Sequence, residues 1–281
     1  MQAEQITAPV AYHGEGPCWS ASWGGLRFVD MLEGDLLTLR EDGEVDRLHV
    51  GSPVAAFVRP RANGGYVVGT ERGLALADAP DVVPSPALTL WHDDGVRMNE
   101  GTATPDGFLL AGTMAYDRTQ GAATVYRVTP QLEVEVVLTG ATISNGIGFS
   151  PAGDLAYYND TPTGRTDVFD VVDGAFERRR PFVDHDGARP DGLCVDSEGN
   201  VWVALNGQGT VRCFSPAGDA VAEVTVPVRL STACALGGED GRDLFVTTSR
   251  ENLGADAEPE AGALFRARVD VPGQPVVPFA G

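Results

Sequence analysis

Three stretches of the chain open alike: "NEGTATPDGFLLAGT" from Asn99, "NGIGFSPAGDLAYYND" from Asn145 and "DGLCVDSEGNVWVALN" from Asp191. Each is a polar residue, a nearby Gly, a short apolar run, a tight turn and a second apolar run. Their starts are 46 residues apart. Weaker copies begin near Glu15, Ala56 and Ala233. Six units of roughly 40–46 residues match the period of four-stranded propeller blades. Within the units, "NVWVAL", "LAYYND", "FLLAGT" and "DLFVTT" are β-rich runs, and "SPAGD", "DSEGN" and "TPDGF" are turn chemistry. Long helical periodicity is absent. The expected fold is all-β: a six-bladed β-propeller of four-stranded antiparallel blades. A β-sandwich would not repeat one phrase at near-constant spacing. The whole chain, 1–281, is expected to form one such domain, with "QITAPVAY" before His13 pairing with the last blade to close the ring.

Charge narrows the partners. Forty acidic residues stand against 20 basic ones, a formal net charge of -20. Nucleic acid and anionic membrane both need a basic face, so neither is expected. Every basic residue is Arg, which removes Schiff-base catalysis and a P-loop lysine. The N-terminus lacks a basic start and an apolar stretch, so a cytoplasmic location is expected. Cys18, Cys194, Cys213 and Cys234 are scattered and are expected to be buried free thiols. Oligomeric state leaves no signal.

In a propeller the first strand of each blade lies against the central channel. Equivalent positions in different blades therefore meet at one mouth. Glu15, Asn99, Asn145 and Asp191 are such positions. Two carboxylates and an amide crowded there would repel or go unsatisfied without a cation. Oxygen donors suit Ca²⁺ or Mg²⁺; an open site also accepts Zn²⁺, Mn²⁺ or Fe²⁺. A polar residue before Gly is also ordinary turn chemistry, and the repeat alone leaves both readings open.

The set "GEGPCW", "RMNEG", "AGTM", "ISNGIGFSP" and "RPDGLCVDSEGNVWVA" resembles the SMP-30/gluconolactonase (regucalcin-like) family, from Glu15 to about Arg268. The resemblance implies a six-bladed propeller and metal-dependent hydrolysis of a sugar (aldono-) lactone. It implies Glu15, Asn145 and Asp191 as ligands of one divalent ion, Arg97 and Asn99 as the substrate-binding pair, and Asp191 as general base. Two departures stand out. Glu100 occupies a position where the family often has Asp. Tyr116 and Asp117 replace an acidic pair that helps bind sugar hydroxyls, leaving Asp117 as the remaining acid for the substrate.

Two other readings keep the fold: a non-catalytic propeller binding calcium or a sugar, and a metal-dependent esterase for another ester. No GxSxG or HExxH occurs. His13 and His185 are expected in solvent-facing loops. "DHDG" at 184–187 reads as a turn, "ERRR" at 177–180 as a solvated strand end, "GADAEPEAG" at 254–262 as a surface loop, and the Pro-rich tail as irregular.

Overall fold

Short alternating strands separated by Gly-rich turns cannot bury both faces alone, so they stack as sheets around an axis. The structure is a computed structural model that describes residues 1–254 and 258–281. It is the expected six-bladed propeller, each blade a four-stranded sheet with consecutive strands antiparallel. The innermost strands are Gly14–Ser20, Ala55–Pro60, Val96–Ala103, Ser144–Phe149, Arg189–Val195 and Ser231–Gly237. The sixth sheet is completed from the other end of the chain: Glu4–Gln5 pairs antiparallel with Phe265–Arg268 as its outermost strand.

The core lies between blades. Phe57, Tyr66 and Met98, all fully buried, belong to one apolar cluster shared by the first three blades. Turn residues finish the sheets. In "DSEGN", the buried Asp196 carboxylate accepts from the Glu198 and Asn200 backbone N–H groups and from Asn200 Nδ2 and Trp202 Nε1. Asp186 in "DHDG" has φ +54°, and its N–H donates to the Asp184 carboxylate. "ERRR" lies on the outermost strand of the fourth blade, where Arg179 reaches Asp167 and Arg180 reaches Asp170. In the expected loop at 254–262, residues 255–257 fall outside the described residues.

All six innermost strands carry a register break: between Glu15 and Cys18, Ala55 and Phe57, Met98 and Glu100, Ser144 and Ile147, Pro190 and Leu193, and Ser231 and Ala233. A bulge re-aims the side chain it carries. In blades one, three, four and five a polar residue sits at this break, and a following Gly lets the neighbouring blade approach. A Cβ on Gly146 would stand 2.5 Å from Leu193 N and 2.7 Å from Asp191 O. Gly16, at φ +52°, would meet the Phe57 backbone at 2.9 Å.

The C-terminal segment lacks regular strands after Arg268 but is firmly held. Gln274 Nε2 donates to Phe149 O and Val195 O, and Phe279, fully buried, exchanges backbone bonds with Pro60 and Ala62. It crosses the end of the channel opposite the bulged residues. Among the described residues no helix is long and apolar enough to cross a membrane.

Candidate functional site

A cavity of about 1180 Å³ opens where the bulges converge. Glu15, Arg97, Asn99, Asn145 and Asp191 all line it and all are buried. They come from the innermost strands of blades one, three, four and five.

Each strand end is braced from its own blade's second strand. Asp30 accepts from the Tyr12 and His13 N–H groups just before Glu15. Asp160 accepts from Thr142 and Ile143 just before Asn145. Asn206 Nδ2 donates to Asp191 Oδ2 at 2.9 Å.

Hydrogen-bond bookkeeping fixes the Asn145 amide. The Thr161 hydroxyl donates to Pro190 O at 2.8 Å, so toward Asn145 its oxygen can only accept, from Nδ2 at 3.1 Å. Asn145 Oδ1 is thereby turned away from Thr161. A second chain supports Asp191 from beneath. Asn159 Nδ2 donates to Asp191 O at 2.7 Å, and Thr166 donates to Asn159 Oδ1 at 2.7 Å. His185 Nε2, 2.8 Å from the Thr166 oxygen, must then carry the proton.

Three oxygens accept no hydrogen bond among the described residues: Glu15 Oε1, Asn145 Oδ1 and Asp191 Oδ1. Glu15 Oε2 takes the Gly16 N–H at 3.1 Å. Burial raises Asp191 to about 7, against the pull of the neighbouring Asn206 and Asn145 amides. Burial also pushes Glu15 well above the usual carboxylate range, helped by the negative charges of Asp191 and Glu100. Two crowded carboxylates and an amide, each with an oxygen to spare, fit a hard divalent ion. Among the described residues no group of three or more His, Cys, Asp or Glu could hold an ion; here the third donor is an amide.

Arg97 Nη1 donates to Asn99 Oδ1 at 2.9 Å and to Met98 O at 2.8 Å. Asn99 Nδ2 donates to Ser144 O at 2.9 Å. Asn99 thus fixes Arg97, whose Nη2 and Nε find no protein acceptor among the described residues. A partly buried ion pair lies deeper: Arg59 Nη2 reaches the buried Glu100 Oε1 at 3.3 Å, while Arg59 Nη1 braces Gly16 O at 3.2 Å.

Residues 13–250 match the model of the SMP-30/Gluconolactonase/LRE-like region. The chain belongs to this family. It is 34% identical to 6-deoxy-6-sulfogluconolactonase of Pseudomonas putida over 95% of both chains, and 32% identical to rabbit (Oryctolagus cuniculus) regucalcin over 100% of this chain and 99% of that one. Its fold superposes on the crystal structure of a calcium-binding protein, regucalcin, from Agrobacterium tumefaciens, with a TM-score of 0.93 and 26% identity, covering 100% of this chain and 98% of that one. Membership places the chain among hydrolases of lactone bonds.

Within this family frame, the expected acid Asp117 is not brought to the cavity. Its carboxylate accepts from the N–H and hydroxyl of Thr119, closing its own exposed loop. Tyr116 turns away to Glu71, its hydroxyl donating at 2.7 Å. The next residue, Arg118, lines the cavity instead. Neither expected solvent-facing His is one. His13 lines the cavity, with Nδ1 2.7 Å from Ser249 Oγ, and burial, with Arg97 and Arg118, lowers it to about 3. His185 is buried and lowered to about 4, chiefly by desolvation.

The sequence reading missed Thr161, Asn206, Asp160 and Arg118. Asp30, Asp160 and Asn206 all close second strands, so the repeat that located Glu15 would have found them too.

Proposed function

We propose that this chain is a divalent-metal-dependent hydrolase of a sugar lactone, opening the ring to the aldonic acid. The observation that carries the reading is the convergence of Glu15, Asn145 and Asp191, each with an unbonded oxygen, beside Arg97 in one cavity. Glu15, Asn145 and Asp191 would hold the ion. Bound there, it would supply positive charge that polarises a carbonyl and lowers the pKa of water.

The chain's own groups do the rest. Asp191 takes the proton of the attacking water, the role a positioned carboxylate beside the reacting carbonyl can fill. Arg97, held by Asn99, directs its free N–H groups to the lactone oxygens and then to the nascent carboxylate. Ring opening adds one water: its oxygen bonds the carbonyl carbon, the ring C–O bond breaks, and the ring oxygen leaves as a hydroxyl.

The test is acid release from a panel of aldono-γ- and δ-lactones by metal-stripped protein with single divalent ions restored. Activity should return with an ion, and Asp191→Asn should lower kcat by at least about 100-fold, the low end of what a positioned base contributes. Metal binding without turnover on any lactone would favour the binding-protein reading, in keeping with the calcium-binding regucalcin fold.

A further inference from the structure

The cavity is cationic in an acidic protein. Of 20 arginines, six line it: Arg97, Arg118, Arg165, Arg179, Arg189 and Arg229. Among the described residues, the acidic ones that line it are Glu15, Asp160, Asp191 and Glu251. Three of the arginines already reach a carboxylate, Arg165 and Arg179 sharing Asp167 and Arg229 on Glu258. Among the described residues, 14 of the 20 arginines reach a carboxylate, so pairing is the rule in this chain. Half of the six that do not are the remaining cavity arginines: Arg97, Arg118 and Arg189.

These three are layered. Arg97 is buried on the floor with Asp191, whereas Arg118 and Arg189 are exposed at the rim. Arg189 opens the strand that carries Asp191, and its Nη2 donates to Asn206 Oδ1 at 2.8 Å. The same Asn206 amide holds Asp191, so one side chain links rim cation to floor carboxylate. Arg118 donates no side-chain hydrogen bond among the described residues. Its backbone, at φ +59°, is set by a turn in which its N–H donates to Ala115 O at 3.0 Å. Guanidinium groups that reach no carboxylate among the described residues, set at a cavity mouth, suit a phosphate, sulfonate or carboxylate.

We propose that the substrate is a lactone carrying a second, permanently anionic group on a carbon remote from the lactone carbonyl, with that group held by Arg118 and Arg189. This rests on the lactonase reading for the ring and adds what lies at the other end of the molecule. The rim cations also let an anionic sugar approach a protein whose overall charge would repel it.

The test compares glucono-δ-lactone with 6-phosphoglucono-δ-lactone and with D-glucaro-1,4-lactone, which bears a free carboxylate. The anionic lactones should be preferred in kcat/KM, chiefly through KM. Arg118→Gln and Arg189→Gln should each reduce the anionic-to-neutral ratio by about tenfold, and Arg118→Lys by less. Raising salt from about 0.05 to 0.5 M should compress the ratio. A ratio at or below one, or variants that slow both substrate classes equally, overturns the proposal. Calorimetric titration with 6-phosphogluconate and gluconate separates the two readings. Tighter binding of the phosphate compound, weakened in Arg118→Gln, upholds the anion subsite even if no lactone is opened, and only the lactonase reading then fails. Equal binding of the two acids refutes the subsite whatever the turnover.

Discussion

The two ends of the central channel are built from the same six strands, yet they differ in kind. The end with the bulges presents Glu15, Asn145, Asp191 and Arg97 to a cavity of about 1180 Å³. The other presents Cys18, Leu193, Cys194 and Cys234 to about 460 Å³, crossed by Gln274–Val277. Cys194 Sγ and Cys234 Sγ lie 3.7 Å apart there as free thiols, and burial pushes Cys18 up to about 11. Thiols so raised are poor nucleophiles. In blades one, three, four and five the innermost strand thus spends its start on polar groups that the bulge aims inward and the rest on packing. The Arg59–Glu100 pair marks the division between the two. What separates a reactive mouth from an inert one is local backbone irregularity rather than a different fold.

Breaking the dividing pair should have the largest effect. Arg59→Ala strands a buried carboxylate and removes the brace on Gly16, costing about 3–5 kcal/mol in thermal or urea unfolding at neutral pH. Replacing both partners with apolar residues should recover most of that loss. If Arg59→Ala unfolds like wild type, the pair divides nothing.

The polar mouth should also announce itself in pH dependence. A carboxyl raised to about 7 in the folded state is held protonated there while the unfolded chain ionises near its ordinary value. Its burial therefore costs nothing at low pH and progressively destabilises the metal-free fold as pH climbs through that interval. The Tm of metal-free wild type should fall by several degrees relative to Asp191→Asn between about pH 4 and 7, and saturating metal should reverse the difference by binding the ionised carboxylate. A gap independent of pH would show that Asp191 is ionised and relaxed without the ion.

Smaller still is the effect of loosening one donor. Thr161→Val frees the Asn145 amide to rotate and should weaken metal affinity about 10–100-fold, measured by titrating Ca²⁺ or Mn²⁺ into stripped protein. The smallest change belongs to the opposite mouth. Cys194→Ser and Cys234→Ser should shift stability by about 1 kcal/mol and leave kcat/KM within about twofold. A large loss of turnover there would dissolve the contrast.

Much of this was legible in the sequence because a propeller writes its geometry as repetition. The phrase beginning at Asn99, Asn145 and Asp191 carried both the blade count and the meeting point of the polar residues. Contacts that cross between repeats were not legible. Nothing in "DTPTG" announces that Thr161 bridges Asn145 to Pro190 of the next blade. The loop at Asp117 misled because adjacent side chains there diverge: the acid caps its own turn and the following Arg faces the cavity. Both histidines look like loop residues locally. Their burial depends on Ser249 for His13 and on Thr166 for His185, partners that only the closed ring or the folded blade supplies.

The closure of that ring has a consequence for how the protein is made. Glu4 pairs with Arg266, so the last sheet waits for nearly the entire chain to leave the ribosome. Contacts of such long range are slow to form. Glu15 emerges some 176 positions before Asp191. For most of synthesis one half of the carboxylate pair exists without the other, and the cavity floor is completed late. A chain released early would carry most of its blades and none of its chemistry.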